Sequence, residues 1–428
     1  MYKRQTYDDK YVLSGSIRWD RSNLWGTNSK YQNKPLWSVG GSWNIYKEKF
    51  FQADFVDMLK LRASYGIGGN IGRNTAPYLI ASYYDSSLVD GMAGSVNTPP
   101  NKDIRWEKTT TVNVGVDFAL FRHRLSGTIE YYNKYSVDLL AAINGSPTQG
   151  FGYTTLMTNN GKMVNRGVEI TLSGEIIRQK DFSWNASLLY AFNRNKVKHI
   201  SVQPSLWDSR ISMPTSYPMV GKPLYGIYAY KWAGLNENGD PQVYDAENNV
   251  TSGPARDYHA LVYCGTTVPI HNASLTNVLR YKGFEFSAML ILDAGHKLRS
   301  SNIPSINMSN GRITSTAKGI VDRWTQPGDV TDVPRLLFSN DTENFNTHRT
   351  ELYRYSDLFV YDASNIRLSN ISLAYRVPAH WCKKISLSGA RLQFNVENVA
   401  TFAFDSKANY DLGGKVKPNY VWGLYLNF

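Results

Sequence analysis

The chain has 428 residues, with 47 Lys plus Arg against 35 Asp plus Glu for a net charge of +12, yet only 19% of its residues are charged and 13% are aromatic. It lacks the apolar runs of about 20 residues that a helical membrane protein needs, and it holds too many rings and too little charge for a disordered chain. Its two cysteines, Cys264 and Cys382, are too few for a disulfide scaffold, form no CxxC or Cys/His cluster that would hold zinc, and are expected to be unpaired thiols.

Met1 to Lys10 has no apolar stretch of the kind a secretory signal peptide carries. The chain enters a strand almost at once, an abrupt start expected of a piece of a longer protein. In that strand Tyr11, Leu13, Gly15, Ile17 and Trp19 share one face, and Ser14, Ser16, Arg18 and Asp20 the other. The same period of two returns at Leu59, Leu61, Ala63 and Tyr65. A long strand from Trp106 to Leu120 sets Val112, Val114, Val116 and Phe118 against Thr109, Thr111, Asn113 and Asp117. Leu125, Gly127, Ile129 and Tyr131 follow, then Val168, Ile170 and Leu172, then Trp184, Ala186, Leu188, Tyr190 and Phe192. Later strands are expected over Phe284–Leu292, Ile366–Val377 and Arg391–Val399, and a last one carries Tyr420, Trp422, Leu424, Leu426 and Phe428 on one side.

The pattern predicts about fourteen strands, many about 10 to 13 residues long, beyond the five or six usual in soluble sheets. A tilted strand of about 9 to 11 residues spans a bilayer's hydrocarbon. Trp19, Trp106, Tyr131, Trp184 and Tyr190 stand near strand ends, where a membrane barrel carries its aromatic girdles. Tight, basic connections such as Phe121–Arg124 and Arg178–Asp181 alternate with long polar ones such as Asn193–Lys222 and Ser300–Tyr353. That is the sidedness of an outer-membrane barrel, with turns toward the periplasm and loops outside. Hydrocarbon leaves no partner for an unpaired backbone group, so such a sheet must close. The fold class expected is therefore all-β, an antiparallel transmembrane β-barrel segment. Leu139 to Gly161, the longest uncharged stretch, and the Gly-rich run Gly66–Gly72 both read as loop or turn.

No catalytic constellation emerges. The seven histidines form no HxH or HExxH pair, no GxSxG elbow or Walker motif is present, and no cofactor or metal is implied. Asn236–Asp240 reads as a hairpin turn about Asn238-Gly239 and not as a calcium loop. Glu169 and Glu175 sit on polar strand faces as solvated luminal carboxylates. The basic residues are spread and not gathered on one element, so nucleic acid is not the expected partner; anionic outer-membrane lipid is. Aromatic rings stack on sugar faces and peptide side chains, which makes Tyr83, Tyr84, Trp207, Tyr225 and Trp232, together with Tyr228 and Tyr244, the candidate ligand contacts. A passive channel or adhesion barrel, and a soluble carbohydrate-binding β-protein, are the competing readings of the same pattern.

Several segments resemble the SusC/RagA family of TonB-linked outer-membrane importers. They are KYVLSGSIRWDRSNLWG, DMLKLRASYGIGGN, IRWEKTTTVNVGVDFALFRHRLSGTIEYYNKYSVDLL, NRGVEITLSGEII, MVGKPLYGIYAYKWAGLNENGDPQ, TNVLRYKGFEFSAMLILDAGHKLR, RWTQPGDVTDVPRL and NIRLSNISLAYRVP, in family order. The resemblance runs over nearly all of residues 1–428 and implies the C-terminal portion of a receptor barrel of about twenty-two strands. The family's signal peptide, plug domain and TonB-contacting segment have no counterpart in it. The resemblance further implies a Bacteroidetes-type bacterium, a SusD-like surface lipoprotein partner, TonB acting through the plug, and an oligosaccharide or peptide ligand. It implies no enzymatic activity. The terminal VWGLYLNF, ending on Phe428, resembles the signal read by the barrel assembly machinery.

Overall fold

A computed structural model describes the chain except for residues 21–25, 32–33, 73–76, 89, 147, 149–154, 205–207, 254, 256, 309–315, 339–346 and 414–416. Its main element is a 13-stranded sheet. The strands are β1 (Tyr2–Tyr7), β2 (Tyr11–Arg18), β3 (Leu36–Asn44), β4 (Val56–Asn70), β5 (Glu107–Leu120), β6 (Leu125–Asn144) and β7 (Thr155–Arg178). They continue with β8 (Phe182–His199), β9 (His271–Tyr281), β10 (Phe284–Ala294), β11 (Asn365–Arg376), β12 (Gly389–Ala403) and β13 (Asn419–Asn427). Each pairs antiparallel with the next in chain order, and among the described residues β1 and β13 are paired on one side only. The sheet is therefore an open wall, one strand short of the expected fourteen or so.

The register shows why these residues make a wall. Across eleven consecutive strands Tyr11, Trp43, Leu61, Val116, Ile129, Ile170, Tyr190, Ala273, Leu292, Ile366 and Phe402 stand side by side in one row. The row beside it, on the other face, reads Arg62, Gly115, Glu130, Glu169, Ala191, Asn272, Asp293 and Asn365. One face is oily over the whole width and the other is polar and charged, the alternation that lipid outside and a wet lumen inside require. The oily face is bare of protein: Val114 is 40% exposed, Ile129 45% and Tyr131 44%. A soluble sandwich would bury those side chains against a second sheet.

On the luminal face the charges answer one another. Arg62 donates from Nε and Nη2 to the two carboxylate oxygens of Asp117, at 2.8 and 2.9 Å, and Thr128 Oγ1 donates to the same carboxylate at 3.1 Å. Asn113 Nδ2 donates to Glu130.

The connections sort by end. The strand ends joined by 8–10, 45–55, 121–124, 179–181, 282–283 and 377–388 lie at one end of the wall; those joined by 19–35, 71–106, 145–154, 200–270, 295–364 and 404–418 lie at the other. In the turn at Phe121, Arg122 and His123 all three residues are left-handed, with φ of 57°, 57° and 63°, a conformation unfavourable for side-chain-bearing residues. It is held by His123 N–H on Asp57 Oδ2 at 2.8 Å and by Phe121 N–H on the Phe55 carbonyl at 2.8 Å.

Two expectations are corrected. The Gly-rich run is no turn, because β4 continues through it to Asn70, and Leu139–Gly161 is largely strand, shared between β6 and β7. β7 has 24 residues, more than twice the length that spans hydrocarbon. In this outer part apolar residues such as Leu139, Leu140, Ala141, Ala142 and Ile143 run consecutively and the register shifts at Ser136/Leu139 and Leu139/Leu140, so the period of two fades while the hydrogen-bonded ladder goes on. A short first strand, β1, completes a hairpin with β2 ahead of the alternating segment. Both cysteines are free thiols, as expected.

Candidate functional site

At the long-loop end two connections, 200–270 and 295–364, fold together into a cap. Its core is Tyr228, Tyr230, Val243, Leu261 and Leu352, continued by Ile306, Tyr353 and Phe359. Backbone bonds stitch the two connections: Tyr230 N–H donates to the Tyr355 carbonyl at 2.9 Å, and Trp232 N–H to Asp357 Oδ1 at 2.9 Å. Arg299 donates to the carbonyls of Tyr228, Arg354 and Ser356 at 2.7, 3.2 and 3.3 Å. Burial pushes its guanidinium below its ordinary value.

The centre of the cap is ionic. Arg349, whose side chain is 2% exposed, donates from Nε to Asp240 Oδ1 at 2.9 Å. Its Nη2 reaches the Arg335 carbonyl at 2.7 Å and its Nη1 reaches Asn307 Oδ1 at 2.5 Å. Arg335 donates from Nη2 to Asp240 Oδ2 at 2.8 Å, so one carboxylate serves two guanidinium groups. Burial lowers the Arg349 pKa and the Asp240 charge opposes that. Asp240 is presented by a tight turn in which Asn236 Oδ1 accepts the amides of Asn238 and Asp240 at 3.0 and 2.8 Å. Gly239 is required there: its φ is +74°, and a Cβ would meet the Trp324 ring at 2.4 Å. The hairpin reading of Asn238-Gly239 therefore holds. Asp411, from the connection 404–418, ties in the cap edge by accepting from Ser300 Oγ at 2.7 Å and Ser301 Oγ at 2.6 Å.

The expected ligand contacts are dispersed. Tyr83 and Tyr84, 72% and 54% exposed, lie on a separate hairpin formed by Ile80–Ser86 and Gly91–Thr98, outside the wall. Tyr225 is 47% exposed at the foot of the cap. Trp232 is half-buried, packs its ring 5.9 Å from that of Tyr353 and donates Nε1–H to Asp332 at 2.9 Å. Tyr228 is buried and accepts the Met219 amide on its hydroxyl at 3.1 Å. Tyr244 is half-buried, with the Lys231 ammonium 4.6 Å from its ring centroid. Trp207 lies outside the described residues. Phe428 is fully exposed at the short-turn end, where Ser388 N–H donates to the Asn427 carbonyl at 2.8 Å.

Sequence reasoning missed Asp240, Arg335, Arg349 and Asp411. They are scattered single charges in irregular chain, and no periodicity marks them.

Comparison with known proteins agrees with the wall. The family model for the TonB dependent receptor-like β-barrel matches residues 4–399. TonB-dependent receptor P3 of Formosa agariphila is 27% identical over 98% of this chain and 42% of its own length. TonB-dependent receptor SusC of Bacteroides thetaiotaomicron is 25% identical over 91% of this chain and 39% of its own. Among solved structures, the RagAB peptide transporter superposes with a TM-score of 0.79 at 23% identity, over 99% of this chain and 46% of that one. The chain thus spans less than half the length of the proteins it matches. An oily outer face, a charged inner face, loops sorted to one end and a family match over most of its length lead to one statement: the chain belongs to the TonB-dependent receptor β-barrel family of the outer membrane.

Proposed function

We propose that residues 1–428 form the C-terminal portion of the barrel of a SusC-like, TonB-dependent nutrient importer. The observation that carries this reading is the match to the receptor barrel model over residues 4–399, on a wall whose long connections build a packed cap at one end. The rest of the receptor supplies the plug and the remaining strands. TonB supplies energy through the plug, a SusD-like surface lipoprotein delivers an oligosaccharide or peptide, and no bond is broken. Phe428, exposed at the periplasmic rim, is the residue offered to the barrel assembly machinery.

Ligand contact falls to rings at the loop end. Tyr83, Tyr84 and Tyr225 are exposed and Trp232 belongs to the cap, while Trp207, outside the described residues, is proposed from its residue type alone. Removing the whole receptor from its host is expected to abolish uptake of one class of labelled oligosaccharide or peptide, and removing TonB to do the same. Uptake that persists without TonB would turn the reading to a passive channel. Recovery of the receptor in the soluble fraction would end it.

A further inference from the structure

The oily rows do not continue to the loop end of the wall; they give way to cations that still point outward. The row Val114, Tyr131, Val168 and Phe192 is apolar. Two residues further toward the loops, on the same face, the row reads Val112, Asn133, Arg166 and Arg194. Arg166 and Arg194 are direct cross-strand partners, both exposed. Like charges facing each other across a ladder destabilise it unless an anion sits between them. Asn133 Oδ1 accepts from Arg166 Nε at 3.1 Å, which orients the guanidinium without neutralising it. Among the described residues neither arginine takes part in an ion pair.

Farther out on the same face is a cavity of about 240 Å³ lined by Tyr31, Lys34, Trp37, Arg105, Trp106 and Lys108. Its floor is built for a ring: a Cβ on Gly69 would meet Trp106 at 2.7 Å, so the glycine lets the indole lie on the strand. Arg105 lies 4.6 Å and Lys34 5.4 Å from the centroid of the Tyr31 ring. The acids nearby are occupied. Asp138 accepts from Arg105 Nη2 at 2.8 Å, and Glu107 accepts from Asn70 Nδ2 and from the Leu140 amide at 2.9 Å each. Lys34 and Lys108, both exposed, take part in no ion pair among the described residues.

These groups share an address. They stand on the lipid-facing side toward the end where loops leave the membrane: the row that is apolar at Val39, Tyr65 and Val112 turns cationic at Arg166 and Arg194, and Lys108 of the cavity lies two rows farther out. An aromatic-lined pocket and unpaired cations at that level meet the headgroups of the outer leaflet, not the lumen and not the ligand. Guanidinium pairs and ammonium groups fit phosphate oxygens. We propose that this outer rim binds the phosphorylated headgroup of an outer-leaflet glycolipid, with Arg166 and Arg194 clamping phosphate and the cavity of Lys34, Arg105 and Lys108 holding the adjoining sugar. The proposal rests on the outer-membrane placement of the wall.

The test uses the whole receptor purified in detergent, with phosphorylated lipid A, the same glycolipid dephosphorylated, and inorganic phosphate as probes. Phosphorylated lipid A is expected to bind at least about tenfold more tightly than the dephosphorylated form. The double variant Arg166→Glu/Arg194→Glu is expected to lose that preference, Lys108→Glu to weaken it, and Arg166→Lys/Arg194→Lys to keep it. Inorganic phosphate at the same concentration is expected to displace nothing. Equal binding of both glycolipids, an unchanged charge-reversal variant, or displacement by phosphate alone overturns the proposal. Heat-modifiable gel mobility of each variant in outer-membrane fractions separates the two levels. A folded, membrane-borne receptor indifferent to lipid phosphate sinks only the lipid site, whereas a soluble receptor sinks the barrel placement beneath it.

Discussion

In the wall, Ile129 and Tyr131 are 45% and 44% exposed and every strand between β1 and β13 pairs with two neighbours; in the cap, Tyr230 and Tyr353 are 1% exposed and Arg349 is sealed among polar partners. The wall is held by backbone ladders, with an oily face whose solvent is lipid, so its side chains gain little from packing on protein. The cap is a water-side structure that excludes solvent from its own core and pairs the buried Arg349 guanidinium with Asp240, Asn307 and backbone carbonyls. The difference explains why the deepest burial in the molecule lies in its irregular part. A membrane barrel has its hydrophobic solvent outside, whereas loops that must hold a shape in water have to build an interior of their own.

The comparison can be broken by substitution, and the largest effect belongs to the cap. Arg349→Ala leaves Asp240 with Arg335 alone, takes the guanidinium donor from the Arg335 carbonyl and leaves the Ile306 carbonyl with the Leu337 amide only. Losing one partner of a buried pair costs about 3 to 5 kcal/mol. The expected outcome is rapid proteolysis within residues 200–364, with heat-modifiable mobility of the barrel retained. Loss of both together would mean that cap and wall fold as one unit. Next in size, Val114→Arg puts a charge on the lipid face, at a cost of about 2 to 4 kcal/mol near the midplane. Asn113→Arg, one residue away on the luminal face, is expected to be tolerated, and equal losses in a detergent unfolding titration would refute the assignment of faces.

Smaller effects sharpen the contrast. Tyr83→Ala is expected to weaken ligand binding by about 1 kcal/mol without moving the thermal midpoint; a shifted midpoint with unchanged binding would make the ring structural. Acid should loosen the cap edge before the wall. Burial raises the Asp362 carboxyl, but the Ser364 hydroxyl and amide and Lys297 outweigh it and hold the group at about 2, against an ordinary 3.8. A depressed carboxyl stabilises the fold above its unfolded value, and that contribution fades as pH falls from about 4 toward 2. Protease sensitivity of the cap is expected to rise in that window, and Asp362→Asn to remove the dependence. The smallest effect is chemical: burial pushes the Cys264 thiol up to about 11, so alkylation at pH 8 is expected to be slow and to accelerate only in strong alkali. Labelling as fast as that of a free thiol would show the cap opening.

The wall was legible in the chain because hydrocarbon imposes a period of two. Val112 to Phe118 announce their face with no knowledge of a neighbour, and the register later sets them in rows. What failed to show was of two kinds. Gly66 to Asn70 and the outer half of β7 read as turn and loop because strands leaving the membrane keep their ladder and lose their alternation. The Asp240–Arg349 pairing stayed hidden because partners 109 residues apart carry no local mark. The aromatic rings were found by type alone, and type does not say whether a ring is spent on packing, as Tyr228 is, or stands in water, as Tyr83 does.

The strict sorting of connections by end has an evolutionary corollary. Since the longest connections, 71–106, 200–270 and 295–364, leave the same rim and the tightest the other, recombination can exchange an outer segment without disturbing the register below it. Change in the outer segments then acts on modules seated in one frame. Such a frame can keep its shape while sequence drifts, as the TM-score of 0.79 at 23% identity illustrates.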